Sequence, residues 1–477
     1  MSPVGRQFLG TALVLLASLG AQADQPEGSG AVPSIPEGLD EVLQGFDEST
    51  ESAAPEAAPE APKSPASPLS LGGELRWTAS YNLDQRPRRF GETDRHGLSK
   101  LRQDVQVDAG LRLPQDWRAQ LDVSGFYDLA YRIQGRDAVS QPLLDAQESG
   151  LDLGEAYLRG PLGPDLELSV GRQVVVWGKA DVLRVTDVLN PLDLSEPGVV
   201  DIEDLRSPVA LTRLLFYQGP FSLGVVAVHE LRRSQEPPYG SEYYPFPVQV
   251  SGGHRPDTGP VPEYGLELNG RFTGWDLSLY WAHFYADTAT FRRSGGLRWL
   301  TAKPWPIERG YDRLSMLGAA GDLALGSWLL KAELARIDGL RAVALGGETA
   351  SRADVLLGLD YVGFPDTVIT LESVVRSLSD GRPRLDNPLD NLEPHRVQTV
   401  LRYQRDLLRD RLQLVGLISL FGPRGEEGGF VRATAEYTLD DRWSLLGGTV
   451  VYYAGDERLS HRLADNDRLF LQAKMSF

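Results

Sequence analysis

The sequence predicts an all-β fold, a transmembrane antiparallel β-barrel of about 18 strands, with about 16 as the alternative even count. Three observations predict it: alternating apolar and polar segments recur from residue 71 onward, short turns alternate with long polar connections, and aromatic residues flank the short turns. A period of two places apolar side chains on one face of each strand and polar ones on the other.

The elements follow in order. Arg6, the apolar stretch Phe8 to Leu19 and Ala21-Gln22-Ala23 read as a secretory signal peptide over residues 1–23. The chain has no cysteine, so lipid attachment through a thiol and disulfide or thiol chemistry are excluded. Residues 24–68 hold ten Asp/Glu against one Lys, half of the net charge of −18, in a Pro/Ala/Glu-rich tract with the repeat Ala-Ala-Pro-Glu. Such a segment buries too little apolar surface to fold and is expected to be a disordered acidic periplasmic leader. Within it Leu39, Val42, Leu43 and Phe46 fall on one face of a short helix. They form either a transient helix without a role, a docking peptide for a periplasmic partner, or a plug entering the barrel from below. An acidic chain of this kind is not expected to bind nucleic acid.

Residues 69–477 are read as the barrel. Its strands are expected to begin near 71, 99, 116, 151, 166, 208, 220, 263, 275, 314, 327, 352, 366, 394, 411, 428, 442 and 466. The alternation is clearest where Trp117, Ala119, Leu121, Val123, Gly125 and Tyr127 interleave with Arg118, Gln120, Asp122 and Ser124. Short connections at 114–116, 161–164, 218–220, 273–274, 325–326, 363–366, 408–410 and 440–441 alternate with long ones, notably 132–150, 177–207, 231–262, 288–313 and 377–393. Short periplasmic turns and long external loops are the outer-membrane pattern, so both ends of the mature chain are expected in the periplasm. Trp117, Trp275, Trp328 and Trp443 follow short turns, and Tyr217, Phe272, Tyr403 and Tyr437 precede them, as an inner aromatic girdle would; Tyr81, Tyr131, Tyr285, Tyr452 and Tyr453 would make the outer one. The last strand carries Leu469, Leu471, Met475 and Phe477 at a period of two. A terminal strand ending on an aromatic residue resembles the assembly signal of Gram-negative outer-membrane barrels, which implies contact with the barrel-assembly machinery as well as with outer-membrane lipid.

At this strand number the lumen is too wide for side chains alone to fill. The polar faces direct Arg76, Arg102, Arg118, Arg271, Lys331, Arg396, Arg402, Arg432 and Arg468 inward, with Asp104, Asp108, Asp122, Glu267, Glu333, Glu436 and Lys474 among them. This is either a mixed-charge wall that stabilises the barrel or an arginine-biased pore that attracts anionic solutes. The connection over 177–207 is too apolar for a free loop, with Val182, Leu183, Val185, Val188, Leu189, Leu192 and Leu194, and is expected to fold into the barrel. Trp177, Lys179, Asp181, Arg184, Asp187, Asn190, Asp193, Asp201, Asp204 and Arg206 are its candidate constriction residues. They would form a charged eyelet, or a salt-bridged plug that holds the loop in place. The carboxylates lack the spacing of a calcium loop, and neither metal nor cofactor is expected.

The stretch Gly171-Arg-Gln-Val-Val-Val-Trp-Gly-Lys-Ala-Asp181, continued by Thr186-Asp-Val-Leu-Asn-Pro-Leu-Asp193, resembles a proteobacterial outer-membrane family known as a domain of unknown function. The leader motif Leu39-Asp-Glu-Val-Leu-Gln-Gly-Phe-Asp-Glu48 is similar to that of such porin-like proteins. The resemblance implies a porin-like barrel without catalytic residues, working beside inner-membrane exporters or lipid-handling periplasmic proteins. The architecture is also similar to alginate-export and substrate-specific porins, by strand count alone.

The function expected is an outer-membrane channel for small or amphipathic solutes, anionic ones among them, constricted by the 177–207 loop. The alternatives are a gated carrier of hydrophobic or lipid-like molecules working with a periplasmic partner, and a surface adhesin. An enzyme is not expected. His96, His229, His254, His283, His395 and His461 lie near loops or external strand ends, without a Gly-x-Ser-x-Gly motif.

Overall fold

The computed structural model describes residues 68–83, 96–200, 205–244, 262–287, 290–293, 307–341, 349–379, 394–456 and 463–477. The helix face of Leu39, Val42, Leu43 and Phe46 lies outside the described residues, as do Asp201, Asp204, His254 and His461.

Alternating side chains make strands here, and each strand finds its partner in its sequence neighbour. The chain runs β1 (Leu69–Asn82), β2 (Gly97–Arg112), β3 (Arg118–Asp128), β4 (Ser149–Gly163), β5 (Leu166–Gln173), β6 (Val209–Gln218), β7 (Phe221–Val228), β8 (Glu263–Phe272) and β9 (Trp275–Tyr285). After the separate hairpin β10 (Thr290–Arg293) and β11 (Ile307–Gly310) come β12 (Arg313–Leu325), β13 (Trp328–Arg341), β14 (Thr349–Phe364), β15 (Thr367–Leu378) and β16 (His395–Leu407). β17 (Leu412–Phe421), β18 (Gly428–Thr438), β19 (Trp443–Ala454) and β20 (Arg468–Ser476) complete the set. Eighteen of these strands form one antiparallel sheet. It closes where β20 pairs with β1 in the register Glu74↔Ser476 to Asn82↔Arg468. Phe477 extends that seam, donating its N–H to the Gly73 carbonyl and accepting the Gly73 N–H, both at 3.0 Å. Closure leaves no free sheet edge.

The barrel strands begin within three residues of the positions expected from the sequence, and the count is eighteen rather than sixteen. The hairpin of β10 and β11 inside the long 286–312 connection was not expected. Two-residue turns such as Thr273-Gly274 and Gly326-Ser327 join strands at one end, and the long connections all lie at the other. Glycine meets a need there, because Gly274 and Gly326 sit at φ 82° and 61°. The turn Leu408-Arg409-Asp410 takes three consecutive positive φ values, 57°, 59° and 62°, without any glycine.

The outward face carries exposed Leu and Val, including Leu151, Leu317, Leu357 and Leu471, the kind of surface that lipid covers. At the short-turn end aromatic rings pair on that face. Trp77 stacks on Trp443 at 5.9 Å, Phe272 on Trp275 at 4.2 Å, and Trp328 leans on Tyr361 at 4.4 Å. Three expected girdle members go elsewhere. Tyr217 falls on the inward face of β6, in register with Ser222. Tyr452 is buried on the inward face of β19, and Tyr131 sits in a short helix, α1 (Ala130–Gln134), packed with Val139, Leu143 and Leu144.

The three left-handed residues of the 408–410 turn cost backbone energy that glycine would not. Arg409→Gly should therefore raise resistance of the folded barrel to urea, by up to about 1 kcal/mol once the extra chain entropy is subtracted. Equilibrium unfolding in lipid vesicles followed by tryptophan fluorescence checks this.

Candidate functional site

The lumen has two unlike walls. On the inward faces of β6 to β17, Val209, Leu211, Val226, Ala282, Met316 and Leu356 are among many apolar side chains gathered into one buried cluster. Isolated in a water-filled pore, such a wall would be unfavourable. It is covered by residues 174–200 and 205–208, which lie between β5 and β6 and turn into the barrel. Val175, Trp177, Leu183, Val185 and Leu189 of this strap belong to the same cluster. The expectation that the loop folds inward is met for physical reasons visible in its composition.

Its docking rests on two buried carboxylates of the wall. Glu333 on β13 accepts the backbone N–H groups of Lys179 (2.6 Å), Ala180 (2.8 Å) and Thr186 (3.1 Å), and the Thr186 hydroxyl at 2.9 Å. Glu372 on β15 accepts those of Asp181 (2.6 Å), Val182 (3.1 Å) and Leu183 (2.8 Å). The strap thus wraps successive N–H groups around two anions, which satisfies both a non-repetitive backbone and two buried charges.

The Trp-Gly pair of the sequence motif makes this geometry. Trp177 stacks on Tyr280 at 5.0 Å, and its ring occupies the space a Cβ on Gly265 would need. Gly178 has φ +96°, and a Cβ there would lie 2.5 Å from a Glu333 oxygen, so only glycine can turn the chain onto that carboxylate. Two lysines add reciprocal ties. Lys179 of the strap reaches Asp276 and Asp322 of the wall at 3.1 Å each, and Lys331 of the wall reaches Asp181 at 2.7 Å and Asp360 at 2.6 Å.

The remaining candidate residues hold the strap together. Asp187 is shared by Arg184 (3.0 Å) and Arg206 (2.8 Å). The Asn190 side chain accepts the Val175 N–H at 2.8 Å and donates to the Ser207 carbonyl at 3.0 Å, stitching the two feet of the strap. Asp193 accepts the Ser195 N–H at 2.9 Å. Lys179, Asp181, Arg184, Asp187 and Arg206 therefore do not face one another across an opening as an eyelet; each is engaged in an ion pair that positions the strap.

Beyond Asp193 the strap crosses to the far wall. Glu196 pairs with Lys100 on β2 at 2.5 Å, Tyr452 donates to the Pro197 carbonyl at 2.5 Å, and Arg432 donates to the Val199 carbonyl at 3.1 Å. Burial alone would raise the Glu196 carboxyl, but Lys100 and Arg468 outweigh it and hold it below the usual carboxylate range. Arg468 also pairs with Glu242 of the following long connection at 3.0 Å.

The strand registers put Arg76, Arg102, Arg118, Arg271, Lys331, Arg396, Arg402, Arg432 and Arg468 on the inward face. Lys331, Arg432 and Arg468 are buried in the contacts just described. The wall from β1 to β3 carries an exchange of charges, Arg76 with Glu74 and Arg102 with Asp104 at 2.7 Å, and Arg102 also lies over the Phe126 ring at 3.7 Å. Sequence reasoning missed the acids of the opposite wall, Asp276, Asp322, Asp354, Asp360 and Glu372. Their strands alternate less cleanly, because the inward positions between them are apolar. Leu469, Leu471, Met475 and Phe477 of the C-terminal segment lie along the seam with β1.

Three histidines pair with hydroxyls across strands near the long-loop end: His283 with Ser315 at 2.8 Å, His395 with Ser377 at 3.0 Å, and His229 with Thr212 at 2.9 Å. All three pairs lie on the outward face. Among the described residues no carboxylate or amide side chain orients the second ring nitrogen, as a nucleophile–base pair requires.

Fold and strap together define a closed eighteen-stranded antiparallel β-barrel with a segment docked inside its lumen. The chain belongs to the family described as "Protein of unknown function (DUF1302)", whose profile matches residues 6–477. Among solved structures it is similar to Acinetobacter baumannii OccAB3, with 12% identity, a TM-score of 0.51 and coverage of 86% of this chain and 99% of that one. Acinetobacter baumannii OccAB2 gives 10% identity, a TM-score of 0.50 and coverage of 86% and 98%. At these identities the likeness is one of fold. No curated protein matches the chain in sequence.

Two outcomes follow. Glu333→Ala leaves buried strap N–H groups unpaired, which should cost about 3 kcal/mol of docking and speed hydrogen exchange at Lys179, Ala180 and Thr186 roughly a hundredfold while the barrel strands stay protected. The depressed pKa of Glu196 makes its bridge fully stabilising above the unfolded value of about 4.3 and lost as pH falls through the lower folded value. Exchange at residues 196–199, corrected for intrinsic rates, should accelerate on acidification in the native protein and be fast at every pH in Glu196→Gln.

Proposed function

We propose that the protein is a channel of the Gram-negative outer membrane that passes small or amphipathic solutes, anionic ones among them, past the strap. The observation that carries this reading is the strap itself. It covers the apolar cluster of β6 to β17, touches the far wall through Lys100, Arg432 and Tyr452, and leaves the polar positions of β1 to β3, Arg76, Arg102 and Arg118 among them, to border the remaining lumen. Fixed charge along such a narrowed path sets which ions and solutes enter. In this reading the short turns and both chain ends lie in the periplasm, and β20 presents Leu469, Leu471, Met475 and Phe477 to the assembly machinery as it inserts.

A second reading is favoured by one observation, the extent of the buried apolar cluster. A strap that undocks would expose a lumen face suited to hydrophobic or lipid-like molecules. The barrel would then be a gated carrier, with the acidic leader and its Leu39, Val42, Leu43 and Phe46 face recruiting a periplasmic partner.

Single-channel recording in planar bilayers separates the two. Steps in the intact protein, with a reversal potential favouring anions, are expected for the channel, and deletion of residues 177–207 should enlarge them severalfold. Silence in the intact protein with conduction only after the deletion would replace the channel with the gated carrier.

A further inference from the structure

Among the described residues the charges that touch the strap are nearly all engaged, and Arg402 beside it is not. Arg402 projects from β16 into a cavity of about 160 Å³ between the two arms of the strap and the wall of β16 to β18. Among the described residues it makes no ion pair or hydrogen bond. The cavity has room for several times the liquid volume of one water molecule, about 30 Å³. Leu183, Val400, Leu417 and Phe430 give it an apolar floor. At its polar end Gln398 donates to Ser419 at 3.3 Å, next to Arg402. Asp181 also reaches the cavity, but its carboxylate is held by Lys331 at 2.7 Å. The fixed charge left over is positive. A guanidinium in a partly apolar recess without a partner is unfavourable until an anion joins it, and its fork matches a carboxylate.

We propose that this cavity is a binding site for an amphipathic carboxylate, whose head group pairs with Arg402 and whose short apolar body lies on Leu183, Val400, Leu417 and Phe430. The proposal rests on the channel reading, whose solute class it names. Both arms of the strap contribute walls, since Asp181 to Leu183 close one side and Gly198 and Val200 the other. The ligand therefore binds the docked-strap state and stabilises it.

The test is calorimetric titration of the full-length barrel in detergent with octanoate, and with octanol and gluconate as counter-probes. Saturable octanoate binding is expected, weakened about tenfold or more in Arg402→Gln and only partly restored in Arg402→Lys, which keeps the charge but not the fork. Leu417→Asn should weaken octanoate binding also, and deletion of 177–207 should abolish it. Retained heat-modifiable migration shows that each variant is folded. Octanol binding as tightly as octanoate would overturn the role of Arg402, and gluconate binding as tightly would overturn the role of the apolar floor. Absence of octanoate binding by the folded native barrel would overturn the site. Since titration needs no membrane, a barrel that conducts without binding octanoate sinks this proposal alone, and one that binds it without conducting sinks the channel reading alone.

Discussion

Two carboxylates that accept backbone N–H groups from a chain crossing the lumen are the constraint on which the rest of this structure depends. A barrel of this width has no side chains long enough to meet across its centre. Any segment entering it brings non-repetitive backbone whose polar groups need partners. Glu333 and Glu372 supply acceptors to six strap N–H groups between them. Their own charge is tolerable at that depth only because the strap surrounds it. Strap and wall thus satisfy each other's buried polar groups.

Division of the lumen follows from that pairing. Once the strap lies on β6 to β17, inward positions there behave as a protein core and select Val, Leu, Ala and Met. Positions on the other wall still meet water and keep Arg, Asp and Gln. The acids on the strap side, Asp276, Asp322 and Asp360, are matched by lysines from strap and wall. Two lysines are thus shared among four acids, and Glu333 and Glu372 rely on strap N–H groups instead of a cation. The uncovered wall carries both signs, with Arg76 paired to Glu74 and Arg102 to Asp104.

The strands were legible because their outward faces must be apolar whatever lies within, and this gave a period of two even where the inward face is mixed. Turn lengths were legible for the same topological reason: eighteen neighbour-paired strands need short links at one end only. The strap's inward course could be read from its Val and Leu content. Its anchors could not. Glu333 looked like one more lumen charge, and Glu372, between Leu371 and Ser373, gave no signal that it would receive three N–H groups from residues nearly two hundred positions earlier. Tyr452 and Tyr453 show the same limit, since adjacent tyrosines at a strand end must face opposite ways and only one can join an outward belt.

The motif of residues 171–193 is intelligible once its contacts are known. Trp177 needs Tyr280 and the bare surface of Gly265, Gly178 needs a left-handed backbone, Thr186 needs Glu333, and Asn190 needs both feet of the strap. None of these side chains stands free in the lumen to meet a solute. A sequence signature concentrated on docking rather than on the exposed wall specifies how the lumen is narrowed and leaves what it accepts to other positions. Arg402 lies outside the motif, lines the cavity beside the strap, and among the described residues makes no ion pair with it.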